Sequence, residues 1–127
     1  MEGYLIIYLA EKVIDILMQE GREEALASRR DSESKRIPYI HRFPVSSCEI
    51  TSFIYSKLLT ELMPGEDVKV VSGRCNNQAH YWNLVNDKVF DLTHHQFPNS
   101  TDPIFNVSVE SLTALKAENI IDASDAF

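Results

Sequence analysis

The stretch that decides the fold is HYWNLVNDKVFDLT, residues 80–93. Two runs rich in β-branched and aromatic residues, 80–85 and 88–93, flank Asn86-Asp87. A two-residue connection of this kind between strand-like runs predicts a β-hairpin. With the turn there, Val85 opposes Lys88, Leu84 opposes Val89, Asn83 opposes Phe90, Trp82 opposes Asp91 and His80 opposes Thr93. Alternation then places His80, Trp82, Leu84, Val89 and Asp91 on one face. His80 and Asp91 become diagonal neighbours, with Cα atoms roughly 7–8 Å apart, so a carboxylate can reach an imidazole nitrogen. A slip of one residue would send the two to opposite faces.

Upstream of the hairpin the periodicity changes. Tyr4–Glu20 reads as a helix with Leu5, Leu9, Val13, Ile16 and Leu17 on one stripe, widened by Ile7, Ile14 and Met18, and with Gly21 as its stop. Residues 22–36 are charged and Ser-containing and read as a weak helical continuation followed by a loop; 37–45 reads as extended. A second helix begins near Ser46–Cys48, with Ser46 or Ser47 as cap and Glu49 at the positive end of the helix dipole. Ile54, Leu58 and Leu62 give it an apolar side, flanked by Tyr55 and Leu59, and Ser52, Ser56 and Thr60 give it a polar one. Pro64-Gly65 ends it. Val68–Ser72 is a short strand, Cys75 falls in the polar loop SGRCNNQAH (72–80), 98–103 is turn-rich, and 108–119 reads as a short closing helix or mixed segment. The order of helices followed by strands predicts a single α+β domain over residues 1–127, with the helices packed on a small antiparallel sheet.

The 127 residues carry a net charge of −7, with 12 Lys and Arg against 19 Asp and Glu. That balance argues against a nucleic-acid partner, which requires clustered basic residues. No run of about 20 apolar residues predicts a membrane span. Met1-Glu2 stands where a signal peptide would be basic, so the expected setting is cytoplasmic, with leaderless export the other route. Two cysteines do not make a disulfide scaffold.

Cys48 therefore stands at the start of a helix, with a His–Asp pair on a later hairpin. Thiols attack as thiolates, and helix N-termini and neighbouring imidazolium groups favour that form. Asp91 would fix one tautomer of His80, and His80 would serve Cys48, following the logic of a catalytic triad. The backbone N–H of Cys48 would face a developing oxyanion. The expected catalytic residues are Cys48, His80 and Asp91.

The order Cys at a helix start, His on one strand and Asp on the next resembles the papain-like and transglutaminase-like fold. More narrowly, His80-Tyr81-Trp82-Asn83, Asp91-Leu92-Thr93 and Gln96-Phe97 resemble the small bacterial YunG-like family, over roughly residues 44–98. The resemblance implies a Cys48–His80–Asp91 triad on a compact papain-like core, but no particular reaction. Papain-like enzymes often place a Gln shortly before the Cys as an oxyanion donor, whereas IHRFPVSS (40–47) contains none. Ser46, Ser47, Asn83 and Gln96 are the alternative donors, and Trp82 is either core or a substrate platform.

The expectation is a thiol-dependent enzyme acting on an amide or acyl bond of a protein or peptide, as peptidase, amidase, deamidase or acyl transferase, without a cofactor. The alternative is a catalytically inactive papain-like binding module. Zinc held by Cys48 and His80 is a third reading. His94-His95 adds little to it, because no spaced His/Cys motif accompanies them, and the expected metal set is none. The sequence leaves the oligomeric state open.

Overall fold

The computed structural model describes residues 2–27, 43, 47–97 and 102–126. Helix α1 spans Glu2–Ala27 and helix α2 spans Cys48–Leu62. Five strands follow: β1 Val68–Cys75, β2 Gln78–Val85, β3 Lys88–Asp91, β4 Ile104–Ser108 and β5 Leu115–Asp122, with a last short helix α3 at Ala123–Ala126. The sheet order is β4-β3-β2-β1-β5, and every neighbouring pair is antiparallel. The chain is thus α+β, with helices first and a five-stranded antiparallel sheet after them.

The hairpin forms in the expected register, pairing Val85 with Lys88, Leu84 with Val89 and Asn83 with Phe90. Asn86 and Asp87 both take positive φ (52° and 66°), the backbone of a type I′ turn. β3 is shorter than the expected run, because the chain leaves the sheet after Asp91. A second hairpin of the same type joins β1 to β2 through Asn76 and Asn77, at φ 51° and 66°. The segment read as a polar loop around Cys75 is therefore strand and turn, and Cys75 lies buried at the end of β1.

Several other expectations are corrected. α1 does not stop at Gly21 but continues to Ala27. Its buried stripe is Ile6, Ala10, Val13, Ile14 and Leu17, while Leu5, Ile16 and Met18 are exposed. The 108–119 segment holds a 3-10 turn at Val109–Ser111 and most of an edge strand, not a closing helix. The helical reading fails there because β5 is exposed along nearly its whole length and so carries no one-sided apolar pattern. The expected loop within 22–36, beyond Ala27, and the extended segment 37–45 lie, apart from Phe43, outside the described residues.

α2 shows the largest reversal. Part of the side expected to be polar docks: Ser52 and Ser56 are buried, together with Thr51 and with Tyr55 and Leu59 from the apolar flank, whereas Leu62 is 59% exposed. Ile54 and Leu58 are half-buried and pack with α1 side chains in the main core. The sheet supplies partners that make the polar burial tolerable. Asn83 Nδ2 donates to Ser56 Oγ at 2.7 Å, to Ser52 O at 3.2 Å and across to Lys69 O of β1 at 3.2 Å. Buried polar groups cost stability only when left unpaired. Tyr55 adds a buried link to α1, its hydroxyl donating to Ile6 O at 2.9 Å.

The helices cover one face of the sheet, around Val68, Val85 and Phe90. On the other face Val71, Trp82 and Val89 form a smaller cluster with Leu84, Ile104, Leu112 and Leu115. Gly73, paired with His80, sits at a bulge where β5 comes so close that a Cβ would meet Lys116 O at 2.1 Å.

Two stability predictions follow from these contacts. Asn83→Ala removes the donor shared by acceptors on α2 and β1 and is expected to cost about 2–3 kcal/mol in urea unfolding. An Asn83→Ala cost within experimental error of zero would rule out the docking role. Gly73→Ala must push β5 away and is expected to lower the melting temperature clearly, while Gly65→Ala, with nothing within 4 Å of the added Cβ, should not.

Candidate active site

Cys48 is the first residue of α2, and it is half-buried. It lies on the docked side of the helix, one turn before Ser52, so the Asn83 contacts also set where the thiol sits. β3 ends at Asp91, so on the side away from β1, β2 has no strand beside it at the level of His80. The first turn of α2 reaches towards that point, and the Cys48 side chain acts on the His80 ring in favour of its protonated form. The next residues repeat the connection, with the Tyr81 hydroxyl donating to the Glu49 carboxylate. That bond holds the phenol above its usual pKa, with burial and the Glu49 charge adding to it. Two consecutive residues of the helix thus meet two consecutive residues of the strand.

His80 and Asp91 meet directly, with Nε2 and Oδ2 2.7 Å apart and both side chains fully buried. Burial by itself drives the imidazole towards its neutral form. The hydrogen bonds to Asp91 and Cys48, and the charges of both, override it and hold the pKa up at about 9. For Asp91 burial favours the neutral acid, but hydrogen bonds from His80 and His94 keep the carboxyl below the usual carboxylate range. The aromatic surroundings suit a charged ring: Trp82 stacks on His80 at 5.8 Å and 27°, and Phe97 meets it edge-on at 4.8 Å and 81°. A desolvated cation over a Trp face gains about 2 kcal/mol.

Nε2 of His80 faces Asp91, which leaves Nδ1 as the nitrogen able to exchange a proton with the thiol. The Gln96 amide nitrogen is 3.5 Å from Nδ1 and 3.3 Å from Thr93 Oγ1. Gln96 therefore stands on the Nδ1 edge of the ring. Asn83 does not stand there, since its amide is engaged with α2 and β1. Trp82 is 3% exposed and supports the imidazole from within the sheet. Ser47 occupies the N-cap position of α2 without making a side-chain cap, and its hydroxyl is buried with no partner among the described residues, as is that of Thr51 one turn on. Ser46 lies outside the described residues.

Sequence reasoning missed His94 and Phe97 as members of this cluster. Both follow from a 3-10 turn at His94–Gln96, not from a strand. That turn aims His94 at Asp91, with Nδ1 and Oδ2 3.0 Å apart, and sends His95 towards Phe43 instead. Only Gln96-Phe97 in the quoted resemblance falls in this turn, and His94 carried no signal. Among the described residues His80, Asp91 and His94 are the group able to hold a metal ion, their ligand atoms all lying within 4.8 Å of one another. The 2.7 and 3.0 Å separations are those of hydrogen bonds. Ligands on a tetrahedral zinc at 2.0–2.1 Å would stand about 3.3 Å apart, so the trio fits shared protons better than an ion. Cys75 is also near Asp91, and burial together with that charge pushes its thiol up to about 11.

No described helix is long and apolar enough to cross a membrane. No curated protein and no solved structure matches the chain. The model of the family described as YunG protein matches residues 25–121, a span that takes in α2, all five strands and every residue of the cluster around His80. The chain belongs to the YunG family.

Proposed function

We propose that the protein is a thiol-dependent enzyme acting on an amide or acyl bond, with Cys48 as nucleophile, His80 as acid and base, and Asp91 as the group that orients His80. The observation that carries this reading is the buried His80–Asp91 contact at 2.7 Å, with Cys48 at the start of α2 acting on the same imidazole. The helix-borne Cys and the hairpin-borne His and Asp favour a papain-like arrangement. Both cysteines are free, in keeping with a reducing, cytoplasmic setting.

Cys48 attacks the substrate carbonyl as a thiolate. The carbonyl oxygen takes negative charge in the tetrahedral intermediate, and uncompensated N–H groups of the first turn of α2 lie at the attacking atom. Gln96 and the buried Ser47 hydroxyl are side-chain donors close by. As the carbon–nitrogen bond breaks, His80 Nδ1 gives its proton to the departing amine, leaving a thioester on Cys48 and a neutral imidazole. Water or a second amine then attacks the thioester and gives a proton back to Nδ1, which regenerates the thiolate–imidazolium pair. Asp91 keeps Nε2–H in place throughout. Glu49 and Tyr81 stand beside the nucleophile, and the net charge of −7 favours a neutral or basic protein or peptide substrate.

Alkylation with iodoacetamide at pH 7 tests the core of the reading. Cys48 is expected to label, Cys75 to remain unlabelled in the folded protein, and His80→Ala or Asp91→Ala to slow Cys48 by roughly tenfold or more. Equal rates in wild type and His80→Ala would leave a non-catalytic module as the better description.

The raised pKa of His80 also predicts a pH dependence of stability. A folded pKa of about 9 against an ordinary 6.5 means that the folded state holds this proton more tightly. The linked stability is complete below about pH 6.5 and is lost as pH rises through about 9. The melting temperature of wild type should therefore fall relative to Asp91→Asn between pH 6.5 and pH 9. Parallel curves for the two proteins across that window would disprove the ion pair.

A further inference from the structure

Asp91 holds two imidazoles with one oxygen. Oδ2 is 2.7 Å from His80 Nε2 and 3.0 Å from His94 Nδ1, while Oδ1 accepts the Thr93 N–H at 3.3 Å. An ionised carboxylate only accepts hydrogen bonds, so both facing nitrogens must carry protons. His80 is thereby fixed with a proton on Nε2, and His94 with a proton on Nδ1.

A carboxylate turns readily about its last side-chain torsion. At 3.3 Å, the Thr93 bond to Oδ1 is a weak hold on that rotation. The stronger hold comes from His94. Its backbone is set by the 3-10 turn, where Gln96 N–H donates to Thr93 O at 3.0 Å and Phe97 N–H donates to His94 O at 3.2 Å. Its ring packs on Phe97 at 5.9 Å, and Phe97 in turn packs on His80 at 4.8 Å. His80, Asp91, His94 and Phe97 thus close a ring of contacts, with Asp91 Oδ2 at its polar corner.

We propose that His94 is a positioning residue for the Cys48 site, a fourth member that pins Asp91 Oδ2 against His80 and so fixes the imidazole edge presented to the thiol. This rests on the thiol-enzyme reading above. His94 never touches the thiol or a substrate. It acts through Asp91, and what matters is a hydrogen-bond donor at the place of its Nδ1.

The side-chain geometry supplies the test. Asn carries its amide nitrogen at the branch position of imidazole Nδ1, whereas Gln carries it one bond further out. The rate of Cys48 alkylation by iodoacetamide at pH 7 should fall about tenfold in His94→Leu and in His94→Gln, and stay within about twofold of wild type in His94→Asn; tenfold corresponds to about 1.4 kcal/mol. The hydrogen-bonded Nε2 proton of His80 should be visible far downfield by proton NMR in wild type and His94→Asn, and be lost to exchange in His94→Gln. Should His94→Leu fail to fold, the Gln and Asn pair carries the comparison alone. Equal rates in His94→Asn and His94→Gln, or a downfield proton retained in both, would overturn the role of His94. Its failure is separable from failure of the thiol-enzyme reading: the former leaves His80→Ala slow and His94→Gln fast, the latter leaves His80→Ala as fast as wild type.

Discussion

One side-chain amide sets the position of α2 on the sheet. Asn83 donates to the helix at Ser52 and Ser56 and to β1 at Lys69, so it joins three elements at one point. A purely apolar contact would allow the helix to slide or roll, because hydrophobic attraction is non-directional. Hydrogen bonds to a backbone carbonyl and a hydroxyl one turn apart do not. The consequence appears one turn earlier, where Cys48 meets His80 and Glu49 meets Tyr81. Specific polar docking of this kind trades some stability for a defined geometry, which is what a proton-transfer pair requires.

The same amide explains why the sequence misled about α2. Serines at helical spacing beside an isoleucine–leucine stripe look like a solvent face, and only a partner 27 residues away in sequence reverses that reading. The hairpin was legible because its signals are local: turn residues, alternation, and pairing across two residues. The His80–Asp91 contact was legible for the same reason. His94 was not, since its aim depends on the chain leaving β3 early and tightening into a 3-10 turn. β5 was not, because an edge strand exposed along nearly its whole length and containing Lys116, Ala117 and Glu118 carries residues that also favour helices.

The YunG match spans the sheet and α2, whereas most of α1 precedes it. α1 contributes a large part of the main core through Ile6, Ala10, Val13, Ile14 and Leu17, yet no member of the polar cluster. Its role is to back α2, directly through the Tyr55–Ile6 bond and by covering Ile54 and Leu58. The division is between α2 with its sheet, which carries the polar cluster, and a helix that supports it through an apolar stripe.

The hairpin also separates the site in time. His80 and Asp91 lie 11 residues apart on adjoining strands, and a hairpin closes in about 1–10 μs. Cys48 lies 32 positions before His80 and arrives only when a helix docks through long-range contacts, which pay more loop entropy and form later. His80 and Asp91 are thus paired before the sulfur reaches them. Any reactivity that Cys48 owes to His80 belongs to the finished fold alone, and a nascent or partly unfolded chain carries an ordinary thiol.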